Sequence, residues 1–370
     1  MERNKKFLSS INNYLCILNL YYKSNMKKII FNCETITPMF ISGADGVTPE
    51  LRPPSIKGAL RFWWRAMNGG DWKTLKPQED EIFGSTEKRS KLLISILPPF
   101  PKFSKNGENL PQITKIKTYY KEGRIKKKKD GTEFKMETYS ISMLDYLTIG
   151  LKDDYTLNRG FIKPDEKFTV QLRVPEEYFD TVRNSFIALS QFGGLGAKSH
   201  NGFGCFRVET LKVNNVEVDI PMLDFVELAQ GERQAYTKFS KDTMLVRTVT
   251  TQANTWESTL GELGRIYQKS RETVENNGIE GWHTYKKREL LSAPIIVGKG
   301  RDAQKSFLDR HAKPYFLHIS KIKDGNNWKF EGYIYCFPYL FLKDSEHYSD
   351  IHLENYNQAI IDFNTKLKTL

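Results

Sequence analysis

The stretch Pro49 to Asp71, PELRPPSIKGALRFWWRAMNGGD, gathers more local signals than any other part of the chain. Pro53 and Pro54 bring the backbone in extended, Ser55 stands at an N-cap position, and Gly69-Gly70 closes the run, which is how helices begin and end. The spacing predicts one helix of about four turns. Ile56, Ala59, Leu60, Trp63, Ala66 and Met67 recur at intervals of three and four, forming a single buried stripe. Lys57, Arg61 and Arg65 repeat at four-residue intervals, so their side chains rise in a row along the polar face. Such a row is either a solvated face or a ladder for a phosphate chain. Arg52, Ser55 and the free N–H groups at the helix start favour the ladder, because a helix N-terminus attracts anions. On the polar face, charge reversal at Arg61 and Arg65 is expected to weaken phosphate binding and leave the fold intact.

Outward from this helix, Lys28 to Thr37 alternates apolar and polar residues and reads as the first strand. Leu92 to Leu97 is the next. Between Pro98 and Gly150 lies a long polar insertion, where Asp130-Gly131 separates Ile113–Tyr120 from Phe134–Ile141, predicting a basic β-hairpin or a lysine-rich loop. Lys167 to Val174 alternates again, Glu176 to Gln191 carries the helical stripe Tyr178, Val182, Phe186 and Leu189, and Gly204 to Leu211 closes the unit. Strand, helix, strand, strand, helix, strand is the ferredoxin-like order.

The glycine-rich loop GGLGAKSHNGFGCF, Gly193 to Phe206, precedes that last strand. A P-loop needs a strand before it, a helix after it and lysine directly following glycine, and none of these holds. The dinucleotide fingerprint fails for the same reason of context. Asn201-Gly202-Phe203-Gly204 matches only part of an RRM stacking motif. What remains is a backbone contact to RNA phosphates through Gly194 and Gly196, with Lys198 and His200 adding charge or hydrogen bonds, or a tight turn needed for packing.

From about Pro221 a second unit begins. A strand at Met244–Thr251 precedes a helix from Ser258 to about Glu272, with the stripe Leu260, Leu263, Ile266 and Tyr267. Arg265 and Lys269 repeat the basic spacing of Arg61 and Arg65. Asp324-Gly325 joins Pro314–Lys323 to Trp328–Cys336 as a hairpin, and Leu353, Tyr356, Ile360, Phe363 and Leu367 mark a closing helix.

Lys and Arg number 56 against 44 Asp and Glu in 370 residues, a formal charge of +12 that favours polyanionic partners. Cys16, Cys33, Cys205 and Cys336 lie far apart with no C-x-x-C pair, so they read as reduced core residues rather than a zinc knuckle or disulfide frame. The apolar run Phe7–Tyr22 is interrupted by Ser9, Ser10, Asn12 and Asn13, unlike a secretion signal or a transmembrane span. His200 has no nameable acid–base partner. Glu79, Asp80 and Glu81 read as the start of a short helix, where carboxylates complement the dipole. No active site, metal site or cofactor site assembles from these residues.

Met26 to Gly46, MKKIIFNCETITPMFISGADG, together with the helix run, the glycine loop, EIFG at Glu81–Gly84 and RHAKP at Arg310–Pro314, resembles the RAMP (repeat-associated mysterious protein) superfamily, and within it the subunits of type III-B CRISPR effector complexes. The resemblance covers most of the chain from Met26 onward. It implies an α+β protein of two ferredoxin-like (RRM-like) domains with insertions, residues 26–220 and 221–370, after an N-terminal extension of residues 1–25. It further implies a noncatalytic, cytoplasmic subunit with no cofactor. Its partners would be guide CRISPR RNA, target single-stranded RNA near the guide 3′ end, and other RAMP subunits, with no membrane. At Lys313 the family carries a serine, which leaves any role carried over to that run open. Two alternatives stand beside this reading: a metal-independent guide-processing endoribonuclease using His200, and a purely architectural subunit.

Overall fold

The computed structural model describes residues 26–105, 107–113, 115–118, 125–127, 130–135, 139–153, 156–273, 290–292, 296–297, 304–305, 312–340 and 350–370. Residues 1–25, with Cys16, and Arg310 and His311 of the RHAKP run lie outside them.

β1 (Met26–Thr35) is the axis of the first sheet. Ile29, Phe31 and Cys33 are buried along one side, as the two-residue period of a strand requires. β1 pairs antiparallel with β4 (Phe206–Val213) on one side and β3 (Lys167–Pro175) on the other. β2 (Leu93–Leu97) adds outside β3, and β5 (Val216–Val218) outside β4. The order is β5-β4-β1-β3-β2. α1 (Pro53–Asn68) and α2 (Trp72–Phe83) follow β1, and α3 (Phe179–Phe192) connects β3 to β4. The second sheet has the antiparallel order β6-β8-β7, with β6 at Met244–Val249, β7 at Tyr315–Asp324 and β8 at Asn327–Cys336. α4 (Trp256–Thr273) follows β6 and α5 (Asp350–Thr369) follows β8. The fold is α+β with antiparallel sheets.

α1 buries Ile56, Leu60, Trp63, Trp64 and Ala66, so the stripe is wider by Trp64 than the spacing alone suggests. The helix begins three residues earlier than Ser55 implied: Arg52 is the N-cap, Pro53 and Pro54 form the first turn, and Ile56 N–H donates to Arg52 O (3.2 Å). Prolines fit there because those N–H groups have no intrahelical acceptor. They also remove two donors, leaving Ser55 as the first residue with an N–H to offer. Glu79, Asp80 and Glu81 sit in the last turn of α2, not its first, so the helix dipole does not account for them. Each instead meets a cation: Glu79 meets Arg61 and Arg65, Asp80 meets Lys76, and Glu81 meets Lys91 (2.6 Å).

In the insertion, Lys115–Thr118 pairs with Tyr139–Ser142 and Ile125–Lys127 with Glu133–Lys135, all antiparallel about the Asp130-Gly131 turn. One core cluster joins α1, α3 and the first sheet to Phe239, Phe316, Tyr335 and Phe337 of the second unit. The other joins α4, α5 and the second sheet to Met143, Leu147, Phe203 and Cys205 of the first. Trp63 forms the seam, with its ring centroid 6.0 to 6.2 Å from those of Phe192, Phe239, Phe316 and Phe337. Cys33, Cys205 and Cys336 are free and buried. Among the described residues no helix is long and apolar enough to cross a membrane, and no group of three or more His, Cys, Asp or Glu is placed to hold a metal.

Candidate nucleic-acid interface

The glycine loop clasps three elements at once. Ala197 N–H donates to Phe40 O (2.8 Å) and Gly204 N–H to Pro38 O (2.9 Å), tying the loop to the exit of β1. Asn201 Nδ2 donates to Leu147 O (2.8 Å), holding the short helix Met143–Leu147, and Leu317 N–H of β7 donates to His200 O (3.1 Å). Gly196 has φ +90° and Gly204 φ +69°, and a Cβ on either would collide with a backbone carbonyl, Phe40 O and Leu195 O respectively. At Gly194 a Cβ would lie 2.7 Å from Phe203 O. The space beside these glycines is therefore filled by protein backbone, and packing alone demands glycine there.

What the clasp presents is charge. Lys198, itself at φ +62°, donates from Nζ to Ile149 O (2.6 Å). Burial, and then Arg159, push its ammonium toward the neutral form. Lys313 Nζ donates to Asn201 Oδ1 (2.7 Å) and stands 4.5 Å from the centroid of the Tyr267 ring. Burial lowers its pKa well below the ordinary lysine value, with Arg271 and Lys198 adding to the effect. His200 stacks on Phe316 at 3.8 Å, with Phe62 of α1 at 6.0 Å. Burial, and then Lys313, hold its pKa at about 3, so the imidazole is neutral at physiological pH. Arg159 thus adds to the cost of a charge on Lys198, and Arg271 and Lys198 add to the cost of one on Lys313. Among the described residues, no carboxylate pairs with Lys198 or Lys313. An anion bound here would relieve that repulsion.

The cluster continues toward the start of α1. Arg159 precedes Gly160, which has room only for a hydrogen against Pro49, and Arg52 follows three residues later as the α1 N-cap. Lys57 is half-buried, and burial followed by Arg61 lowers its pKa.

The remaining basic residues are placed otherwise than the helical spacing suggested. Arg61 Nη2 donates to the carbonyls of Phe83 (3.0 Å) and Gly84, and its guanidinium lies 3.7 Å from Glu79. Arg65 lies 3.5 Å from the other oxygen of Glu79, with its guanidinium 5.8 Å from the centroid of the Trp72 ring. Glu79 is only 3% exposed, so the two arginines neutralise a buried carboxylate between α1 and α2. Charge reversal there would gather three carboxylates in one corner, and the expectation that it spares the fold is corrected. Arg265 is forked onto Glu262 one turn away, and Lys269 is exposed. Sequence reading missed Arg159 and Arg271. It met Lys313 only as a departure from a motif, because nothing local marks a lysine that reaches the site through Asn201.

A sequence profile described as the RAMP superfamily matches residues 32–207. The CRISPR system Cmr subunit Cmr1-2 of Pyrococcus furiosus is 26% identical over 202 residues, spanning 50% of this chain and 98% of that relative. The Cmr1-1 subunit of the same organism is 31% identical over 165 residues, 43% of this chain and 41% of that relative. A chain in a cryo-EM structure of the type III-B Cmr-beta complex bound to cognate target RNA superposes with a TM-score of 0.51 at 12% identity, covering 90% of this chain and 99% of that one. The glycine clasp, the α1 entry and the first sheet all lie inside or against the matched region, and it is this part of the chain that resembles the RAMP superfamily.

Proposed function

We propose that the protein is a noncatalytic RNA-binding subunit of a type III-B CRISPR RNA-guided effector complex. It holds guide CRISPR RNA and target single-stranded RNA by their phosphates near the guide 3′ end, beside other RAMP subunits in the cytoplasm. The observation that carries this reading is the convergence of Lys198, Lys313, Arg159 and Arg271 on the glycine clasp, with no carboxylate pairing Lys198 or Lys313 among the described residues. Sequence recognition is left to base pairing, and the protein supplies cationic contacts to the backbone.

In this reading residues 26–220 and 221–370 form two ferredoxin-like domains. The strand order β4-β1-β3-β2 with α1 and α3 as crossovers supports the first. The second repeats strand, helix, strand, strand, helix, with three strands in the order β6-β8-β7 among the described residues. His200 contributes shape rather than proton transfer. Its ring is neutral and stacked against Phe316, whereas a general acid or base works best with a pKa near the working pH.

The test is a salt titration of single-stranded RNA binding by the purified chain, comparing wild type with Lys198→Ala and Lys313→Gln. Each variant is expected to bind more weakly and to reduce the slope of log affinity against log salt by roughly one unit. Unchanged slopes in folded variants would remove the cluster from the interface. RNA cleaved by wild type and spared by His200→Ala would favour the processing enzyme.

A further inference from the structure

One surface of this basic protein has the opposite character. From β5 onward, Val216, Val218, Ile220 and Met222 alternate with Glu217 and Asp219, and Asp224, Val226 and Glu227 follow. Val216 is 65% exposed, Met222 84% and Val226 71%. The two-residue spacing puts Val216 and Val218 on one side of β5, and Ile220 and Met222 continue the alternation in sequence. Val218 stands opposite Leu211 in the ladder, and Leu211 is fully buried, so the valines continue the core-facing side of the sheet, and among the described residues no layer covers them. β5 is also the last strand of its sheet, and its outer edge offers backbone donors and acceptors.

The strip also carries acids whose charge is not matched by a cation among the described residues. Elsewhere Glu34, Glu79, Asp80, Glu81 and Asp145 are all matched to cations. Among the described residues, Glu217, Asp219 and Glu227 are in no ion pair. Asp224 caps the short helix Phe225–Leu228, accepting from Val226 N–H (2.7 Å) and Glu227 N–H (3.2 Å). Phe225 of that helix stacks on Tyr335 at 5.5 Å, so the strip is anchored to the core. Carboxylates in this density repel an RNA backbone, while exposed apolar side chains beside them call for a protein.

We infer that residues 216–227 are a docking surface for a neighbouring subunit of the complex, which adds an extended segment to the free edge of β5. The segment alternates apolar residues, set against Val216, Val218, Ile220 and Met222, with lysines or arginines facing Glu217 and Asp219. Main-chain hydrogen bonds supply affinity in this mode, and the alternating side chains supply selectivity. The inference rests on membership of the effector complex, and it assigns assembly to a face separate from the glycine clasp. β5 follows the end of β4 remote from that loop, since Phe206 pairs with Thr35 at one end and Val213 with Ile29 at the other.

The experiment reconstitutes the effector complex with a photo-crosslinking residue in place of Val218, and separately with Val218→Glu combined with Met222→Glu. Crosslinks mapped by mass spectrometry to a lysine- or arginine-containing extended segment of another subunit are expected. The double variant should enter the complex about tenfold less than wild type while the purified chain keeps wild-type RNA affinity. Crosslinks to RNA, to a second copy of this chain or to its own residues 1–25 would overturn the inference, as would full incorporation of the double variant. If wild type itself fails to enter the complex, the assembly reading fails first. If only the variant result fails, the docking surface alone is wrong.

Discussion

Glu79 is buried between two arginines that the helical spacing offered as part of a phosphate ladder. An ionised carboxylate removed from water needs partners, and Arg61 and Arg65 supply them. Replacing both by methionine is expected to cost about 3 kcal/mol of stability, because it strands a buried charge; urea denaturation measures it. Arg52→Ala and Lys57→Ala should stay within about 0.5 kcal/mol of wild type, as surface changes usually do. Both should still lower RNA affinity in the salt titration, since the α1 entry faces the cluster through Pro49 and Arg159. A pair of stability-neutral variants that leaves RNA binding unchanged would confine the interface to the glycine clasp.

At the scale of the element, the glycine loop is a clasp first and a ligand contact second. Its glycines lie against Phe40, Leu195 and Phe203 backbone, while Asn201 bridges Leu147 and Lys313. Gly196→Val forces a β-branched side chain into φ +90° and against Phe40 O, a strain on the order of 2 kcal/mol. Because the same turn positions Lys198 and Asn201, Gly196→Val is expected to lose more RNA affinity than Lys198→Ala. Thermal melting and RNA titration of both variants decide the order. If the valine variant melts early yet binds RNA normally, the loop serves packing alone.

Across the whole molecule, the sheets are tied by an ionic knot. Glu34 of β1 pairs with Arg207 of β4 and with Lys321 of β7, which also reaches Asp165 (2.6 Å), while Arg207 lies 4.3 Å from the centroid of the Trp328 ring of β8. Burial alone would raise the Glu34 pKa, but hydrogen bonds from Lys321 and Arg207, reinforced by their charge, outweigh it and bring the pKa down to about 2. A depressed pKa stabilises the fold above the ordinary value of 4.5 and is lost as pH falls through about 2. His200 and His318 act in the same direction from higher pH. Burial holds them at about 3 and about 4 against an ordinary 6.5, so below 6.5 the unfolded chain takes up protons that the folded one refuses. Melting temperature is expected to decline as pH drops below 6.5 and to steepen below 4.5. Glu34→Gln should lower it at neutral pH and flatten the acid limb, and an identical acid limb in that variant would exclude the knot as its cause.

The local pattern determined the strands flanking the basic helix, the α3 and α4 stripes, the Asp130-Gly131 and Asp324-Gly325 turns and the succession of elements along the first unit, because period and turn chemistry are properties of neighbouring residues. It also marked Lys198 and His200, since a glycine loop with charge in it is visible in a short window. It could not reveal that Pro53 and Pro54 start α1 and thereby silence two N–H donors, or that Glu79 claims Arg61 and Arg65. Ion pairing depends on which helix folds back against which, and spacing along one helix says only which residues share a face. Lys313 and Arg159 reach the clasp from segments more than a hundred and nearly forty residues from Lys198. Only the folded chain brings those charges together, at a cost that a bound anion would offset.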